Sequence, residues 1–444
     1  MVETHSAEER LARAVIARLR ADGQQAYLVG GCVRDLLLGV PPKDFDISTG
    51  ARPERVLELF SHAGLVGAHF GVALVRDGAV QVEVATFRSD REYEDGRRPT
   101  SVHFERDPKA DVLRRDFTIN GLMMDPATGE VLDYVGGRAD LEGRVVRAIG
   151  DPDARFREDH LRLLRAVRFA ARLGFAIDPA TFDAIGRQAA LIARVSAERV
   201  RDELVRIFTE GGAARGLELL DASGLLAALL PEVVAMHGVA QPPEFHPEGD
   251  VWQHTRLLLE NLGHATPALA MAALLHDVGK PPVYRVADRI RFDGHVEKGV
   301  EMAHAILARL RFSREESGQI ESLVAHHMHF KDVRRMKEST LKRLMRLPHF
   351  DEHLELHRLD CLASSGHLET YELVKRKFEE MPASEIKPVP LVTGADLIAA
   401  GYRPGPRFGE MLSAVEDAQL EQRLRTRAEA LAWVLERYPL EAER

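Results

Sequence analysis

A chain of 444 residues, 45% of them hydrophobic and 29% charged, is long enough for about two to four domains with separate cores. The formal net charge of −9 argues against nonspecific coating of nucleic acid, though not against a local basic groove, because binding depends on where charge sits. Two distant cysteines, Cys32 and Cys361, make no zinc or redox spacing, and no apolar run is long enough to span a membrane, so a reduced cytoplasmic setting is expected.

Residues 7–21 carry Leu11, Val15, Ile16 and Leu19 at helical spacing, and the acids around them rule out the apolar centre of a signal peptide. Ala26-Tyr27-Leu28-Val29 reads as a strand that stops at Gly30-Gly31. A helical turn follows through Arg34, Asp35 and Leu38, ended by Gly39 and Pro41-Pro42. Asp44-Phe45-Asp46-Ile47-Ser48 alternates in polarity as a strand does, so its two carboxylates project from one side. Carboxylates beside the backbone amides of a glycine turn can hold Mg²⁺ against a triphosphate. A glycine pair occurs in many turns and a DxD pattern in many solvated strand ends. Their order here, with Arg34 between them, favours the site over those readings.

LVGGCVRDLLLG followed by DFDIST resembles the active-site signature of the bacterial (class II) tRNA nucleotidyltransferases and poly(A) polymerases, within the DNA polymerase beta superfamily. The resemblance covers nearly the whole chain. It implies an α/β nucleotidyltransferase head followed by a mostly α-helical body with an HD domain and a helical tail. The expected segments are a head at 1–150, a neck at 151–235, an HD phosphohydrolase-like domain at 236–370 and a tRNA-binding tail at 371–444. It also implies catalysis by Asp44 and Asp46 with two Mg²⁺ ions, the nucleotide being held by Gly30, Gly31, Arg34 and Arg115.

After the DxD strand, Arg52 to Phe60 reads as a helix, and Gly71–Val75 and Val80–Thr86 as strands. Glu83 in the second is either a third metal carboxylate, as an adjacent strand supplies in this superfamily, or part of a solvated face. Phe87 to Arg114, crowded with charge, Pro and Gly, reads as a surface loop. In the family a flexible loop here helps the change from adding C to adding A, and its full length favours complete CCA or terminal A addition. Arg114-Arg115-Asp116-Phe117-Thr118-Ile119-Asn120 matches a second family motif. An arginine there can make paired bonds to phosphate or ribose oxygens, with Asp116 fixing it or accepting from a hydroxyl.

DPDARFREDHLRLLRAVRFAARLGF reads as one helix from about Asp153 to Gly174. Asp159 and Arg162, three residues apart, would then be neighbours on one face. A carboxylate only accepts hydrogen bonds and a guanidinium only donates them. Cytosine and adenine each present an amino donor beside a ring-nitrogen acceptor, so such a pair accepts both and leaves unmatched groups against uracil and guanine. In the family the aspartate and first arginine of this EDxxR motif make those contacts. The matches are Asp159 and Arg162, with Arg165 and Arg168 as further nucleotide or phosphate contacts. Without the head, a buried helix whose arginines pair with acids would explain the pattern as well.

His254, His276-Asp277, His295, His326-His327 and Asp360 form an ordered set of nitrogen and carboxylate ligands suited to Mn, Fe, Ni or Mg. LLHDVGKP and RLDCLAS resemble an HD phosphohydrolase domain. His254, His276, Asp277 and Asp360 match its four core positions; His295, His326 and His327 fit its two-metal variants. That resemblance implies phosphatase, 2′-nucleotidase or 2′,3′-cyclic phosphodiesterase chemistry, or a docking module with idle metal chemistry. LVTGADLIAAGYRPGPRFGEML resembles the family's tRNA-gripping tail, followed by helices through Ala414–Leu424 and Ala428–Leu435.

The expected activity is untemplated addition of CCA to the tRNA 3′ end from CTP and ATP, with no membrane or DNA partner. A poly(A) polymerase is disfavoured by Gly67-Ala68-His69-Phe70, in place of a basic GRRF-like segment, and by a tail ending EAER. An enzyme adding only A beside a CC-adding partner stays open. An HD hydrolase with an RNA-binding head is disfavoured by the intact DFDIS carboxylates, and a noncatalytic tRNA binder by the completeness of both constellations.

Overall fold

The first helix, α1 (Ala7–Ala21), starts where Ser6 accepts a hydrogen bond from the Glu9 amide at 3.1 Å, and it buries Ala12, Val15, Ile16 and Leu19. It belongs to one of two compact units in this computed structural model: Met1–Val234 with Arg309–Arg311, and Ala235–Ala308 with Phe312–Arg444. The structure describes residues 5–66, 71–93 and 99–440, with the side chains of 90–93 and 99–102 excepted. The Gly67–Phe70 comparison and the EAER ending lie outside the described residues.

In the first unit, β1 (Ala26–Val29) leads through Gly30 into α2 (Gly31–Leu37), and β2 (Asp46–Thr49) follows. Helix α3 (Pro53–Leu59) precedes β3 (Ala63–Leu65), β4 (Val72–Asp77) and β5 (Val80–Thr86). Together with β8 (Met123–Met124) and β9 (Val131–Leu132), they form a mixed sheet of order β3-β4-β5-β2-β1-β8-β9. The central pairings matter for function: β1 runs antiparallel to β2, and β2 parallel to β5 with Asp46 opposite Glu83. Leu28, Ile47, Val82 and Val84 bury the sheet's inner face.

The segment from Phe87 to Arg114 is not a loop throughout. An antiparallel pair, β6 (Arg88–Tyr93) with β7 (Pro99–Phe104), and α4 (Pro108–Leu113) occupy its described part, while 94–98 fall outside it. Backbone pairing organises this charged stretch where composition suggested a turn-rich surface. Helix α5 (Gly137–Glu142) completes the head-like region.

The expected single helix across 153–174 is two. Helix α6 (Pro152–Glu158) stops at Asp159, whose backbone is extended (φ −144°, ψ 106°), and α7 (Arg162–Leu173) restarts three residues later and ends at left-handed Gly174. Asp159 accepts from the Leu161 amide at 3.1 Å, the local bond by which an aspartate interrupts one helix and opens another. Helices Ala197–Thr209 and Ala213–Ala222 pack against α7.

The second unit is almost wholly helical. Val251–Glu260, Pro267–Leu275, His295–Arg309, Arg314–His326, Phe350–Ala363 and Glu369–Glu380 are its long elements before the tail helices. The tail helices run Gly394–Ala399, Arg407–Leu420 and Arg427–Arg437, around Val392, Leu397, Met411, Val415 and Val434. No helix among the described residues is long and apolar enough to cross a membrane.

Candidate functional site

The carboxylate pair of the first unit sits where β2 begins. Phe45 and Ile47 are buried, so Asp44 and Asp46 turn the other way, as alternation requires. Asp44 lies just before the strand instead of within it, and is exposed. Burial, then the charges of Asp44 and Glu83, push the Asp46 carboxyl up to about 6. Three carboxylates thus repel one another at one edge, a charge distribution that a divalent ion relieves. Glu83 belongs to this edge by register, so the adjacent-strand reading of that residue has a geometric basis.

Gly30 lies beside them. Its φ is +76°, and a Cβ there would stand 3.2 Å from Arg115 Nη1, so glycine alone suits both the turn and the approach. Arg115 donates to Asp111 Oδ2 at 2.9 Å and Ser48 Oγ at 3.2 Å, while its buried Nε has no partner. Asp111, one helical turn earlier, is therefore the residue that fixes Arg115. Asp116 instead accepts from Arg165 at 2.6 Å and from Asn120 at 3.1 Å. Adjacent residues at the end of α4 diverge, which is why the expected Arg115–Asp116 partnership does not form.

Arg34 does not face open solvent. It is buried, donates to Asp35 Oδ1 and Asn120 Oδ1 at 2.8 Å each, and lies over the Phe169 ring. Gly31 is close to it. Arg165 and Arg168 stack on the same ring, and Arg168 is buried with Glu203 at 2.7 Å and Glu210 at 3.3 Å. The ion-pair reading thus describes the resting contacts of both arginines.

Asp159 and Arg162 are not paired across a helix face, because the helix breaks between them. Asp159 Oδ2 accepts from Arg199 at 2.9 Å, and Arg199 Nη1 is buried without a partner. Arg162 donates to Glu158 at 2.6 Å and to the carbonyls of Arg155 and Arg114 at 3.0 Å each. The Arg114 carbonyl ties this neck motif directly to the RRDFTIN motif. Asn120 and Arg199 were not singled out from the sequence, since their partners Arg34 and Asp159 are distant in the chain; Asp111 stands four residues before Arg115, a helical spacing hidden by the loop reading of 87–114.

The second unit gathers a histidine and carboxylate centre. His254, His276 and Asp360 bring ligand atoms together, as do Asp277, His295 and His327. Asp277 stands between the groups: Oδ2 is 3.2 Å from His276 Nε2, and Oδ1 is 3.7 Å from His327 Nε2. Four imidazoles fix Nδ1 and leave Nε2 buried without a hydrogen-bond partner. His276, His295 and His327 hold the carbonyls of Ala273, Phe292 and Val324, and His254 holds Glu248. The His254 Nε2–Asp360 Oδ1 separation is 3.0 Å. Donor atoms about 2.1 Å from a shared ion and about 90° apart stand about 3.0 Å from each other, so this donor set fits a divalent cation.

His326 does not join. Its Nδ1 bonds the Ser322 carbonyl at 2.7 Å and its ring meets His329 and His353, because consecutive helical residues point about 100° apart. Burial would lower His254, but Asp360 and Glu248 push it up to about 9. Burial takes His327 down to about 4. Lys280 Nζ, 2.6 Å from both Asp277 Oδ2 and Gln241 Oε1, and the Glu248–His246 pair were not anticipated. Lys280 was within reach of the sequence, three residues beyond Asp277 in HDVGK.

Family models described as Poly A polymerase head domain, Probable RNA and SrmB- binding site of polymerase A, and HD domain match residues 26–147, 174–236 and 249–355. A CCA-adding enzyme of Geobacillus stearothermophilus is 46% identical over 215 residues, 48% of this chain and 53% of that one. A crystal structure of the Bacillus stearothermophilus CCA-adding enzyme in complex with CTP superposes with a TM-score of 0.76 at 29% identity, covering 98% of each chain. The CCA-adding enzyme of Limosilactobacillus fermentum is 30% identical over 423 residues, 95% of both chains. With a likeness that runs through head, neck and body alike, this chain belongs to the CCA-adding enzyme family.

Proposed function

We propose that the protein completes tRNA 3′ ends by adding C, C and A from CTP and ATP without a nucleic-acid template. The observation that carries this reading is the edge where Asp44, Asp46 and Glu83 meet Gly30 and Arg115. Asp44 and Asp46 would hold Mg²⁺, which when bound supplies Lewis acidity and charge neutralisation for nucleotidyl transfer. The Gly30 turn and Arg115 bind triphosphate oxygens, Arg115 through the N–H groups Asp111 leaves free. Asn120, Asp35 and Phe169 hold Arg34 as support for that turn.

Asp159 accepts from the amino group of cytosine or adenine, and Arg162 donates to the ring nitrogen after exchanging Glu158 for the base. Arg199 keeps the Asp159 carboxylate directed. Arg165 and Arg168 act through Asp116 and Glu203, positioning the two motifs. Incubating purified protein with tRNA lacking CCA, and with each nucleotide alone and together, tests the assignment. CCA completion supports it; long A tails identify a poly(A) polymerase, and failure to add C to the bare end identifies an A-adding enzyme. Exchanging the pair (Asp159→Arg with Arg162→Asp) must alter nucleotide choice.

A phosphoester hydrolase in the second unit is favoured by four buried, unpartnered imidazole Nε2 atoms around Asp277. His254, His276 and Asp360 would hold one divalent ion, Asp277, His295 and His327 a second, with Lys280 steadying Asp277. Such ions, Mn, Fe, Ni or Mg, supply activated water for attack on phosphorus when bound. Release of phosphate from 2′-nucleotides or opening of 2′,3′-cyclic nucleotides, lost in His276→Ala while CCA addition persists, checks this second activity. The setting proposed for both is the cytoplasm.

A further inference from the structure

Glu248 and His246 are absent from every ligand set above, yet they are built into the histidine centre. Asp250 pins their loop at its end, accepting from the Gly238 amide at 2.7 Å and capping the helix Val251–Glu260 through the Gln253 amide at 2.8 Å. Two residues earlier, the Glu248 side chain is only 5% exposed. Its Oε1 lies 2.7 Å from His254 Nδ1 and 2.8 Å from His246 Nδ1, while its Oε2 is buried without a partner. The two imidazole rings stand 5.0 Å apart at 87°.

An ionised carboxylate only accepts, so both Nδ1 atoms carry the protons. For His254 this leaves the Nε2 lone pair directed toward His276 and Asp360. The other three imidazoles of the centre are oriented by neutral backbone carbonyls three residues back in the chain. His254 alone receives a carboxylate from a separate loop. A carboxylate raises the basicity of a ligating imidazole more than a neutral carbonyl does, and such partners are worth about 10–100-fold in metal affinity.

Resting on the reading of this centre as a two-ion site, we infer that Glu248, backed by His246, is a positioning residue that makes the His254–His276–Asp360 group the tighter of the two. The ion there loads first, and the Asp277–His295–His327 group fills at higher concentration. The asymmetry lies in the loop, not in the ligands, since each group offers two imidazoles and one carboxylate.

Calorimetric titration with Mn²⁺ of the full-length, chelator-stripped chain, in an Asp44→Asn, Asp46→Asn background that removes the head's own ion site and serves as the wild-type reference for the histidine centre, tests it. That reference should bind two ions of unequal affinity. Glu248→Ala should weaken the tighter step about 10–100-fold and leave the weaker step unchanged. Glu248→Gln, whose amide oxygen still accepts from Nδ1, should recover most of the lost affinity, and its unchanged melting profile guards against misfolding. Nitrogen-15 spectra of labelled histidine, taken metal-free above pH 9 where His254 is neutral, should show it as the Nδ1–H tautomer in wild type and a mixture in Glu248→Ala. Both affinities intact in Glu248→Ala would overturn the proposal. So would three ions per reference chain with one lost in His246→Ala, which would make Glu248 and His246 ligands themselves. No Mn²⁺ bound by the reference chain would refute the underlying metal reading instead.

Discussion

Asp46 illustrates how a single side chain is tuned by its strand neighbours. Its raised carboxyl pKa comes from burial and from two other carboxylates, so Asp46→Asn removes repulsion while deleting a proposed metal ligand. Incorporation should fall by about 10³-fold or more, several kcal/mol of transition-state stabilisation, while the melting temperature without Mg²⁺ stays level or rises. An extension assay alongside thermal melting reads both. Asp116 behaves oppositely. Burial would raise it, but Arg165, followed by Asn120, holds its carboxyl well below the usual range. A depressed carboxylate contributes stability that is present above the unfolded value of about 3.9 and is lost as pH falls through the folded one. Asp116→Asn should therefore cost about 2–3 kcal/mol near neutral pH, and less as pH drops below about 4. Urea midpoints from pH 7 down to pH 3 measure it. A constant difference across that range would contradict the assigned partnership.

At the scale of elements, close backbone approach decides where ligands stand. A Cβ at Gly279 would overlap the His295 carbonyl and the backbone of Gly299, so glycine lets the HDVG turn seat against the helix His295–Arg309. Gly279→Ala should push that helix away, cost about 2–3 kcal/mol and weaken Mn²⁺ binding in the Asp277–His295–His327 group first. Calorimetry on the variant reports the order of loss. The break between α6 and α7 is the other element-scale feature. A continuous helix would set Asp159 and Arg162 on one face; the extended residue at 159 gives each its own partners, Arg199 and Glu158. Heptad-like spacing could not reveal this, because the leucines around the break continue the apolar pattern across it.

For the whole molecule, the division into two compact units implies separable responses to metal. Ions bound only by the folded second unit should stabilise it by about 2.7 kcal/mol when free metal is 100 times Kd. With metal present, His276→Ala should lower one calorimetric transition and leave that of the Met1–Val234 unit in place, whereas chelation also strips the ion assigned to Asp44 and Asp46. A single transition moving as one would show the units to be energetically coupled.

The strand–glycine–helix–strand order of residues 26–49, the carboxylate alternation and the set of histidines and aspartates that cluster as His254, His276, Asp277 and Asp360 were legible in the sequence because they depend on local spacing and on short motifs. So were both tail helices, although the first, read as Ala414–Leu424, starts about two turns earlier and runs Arg407–Leu420, and the second runs Arg427–Arg437. The partners were not. Asp116 taking Arg165, Asp159 taking Arg199 and Glu248 taking His254 all follow from how separate elements meet, and hydrogen bonds between them leave no period in the chain. Local chemistry chose which residues could act; packing alone decided which of them face each other.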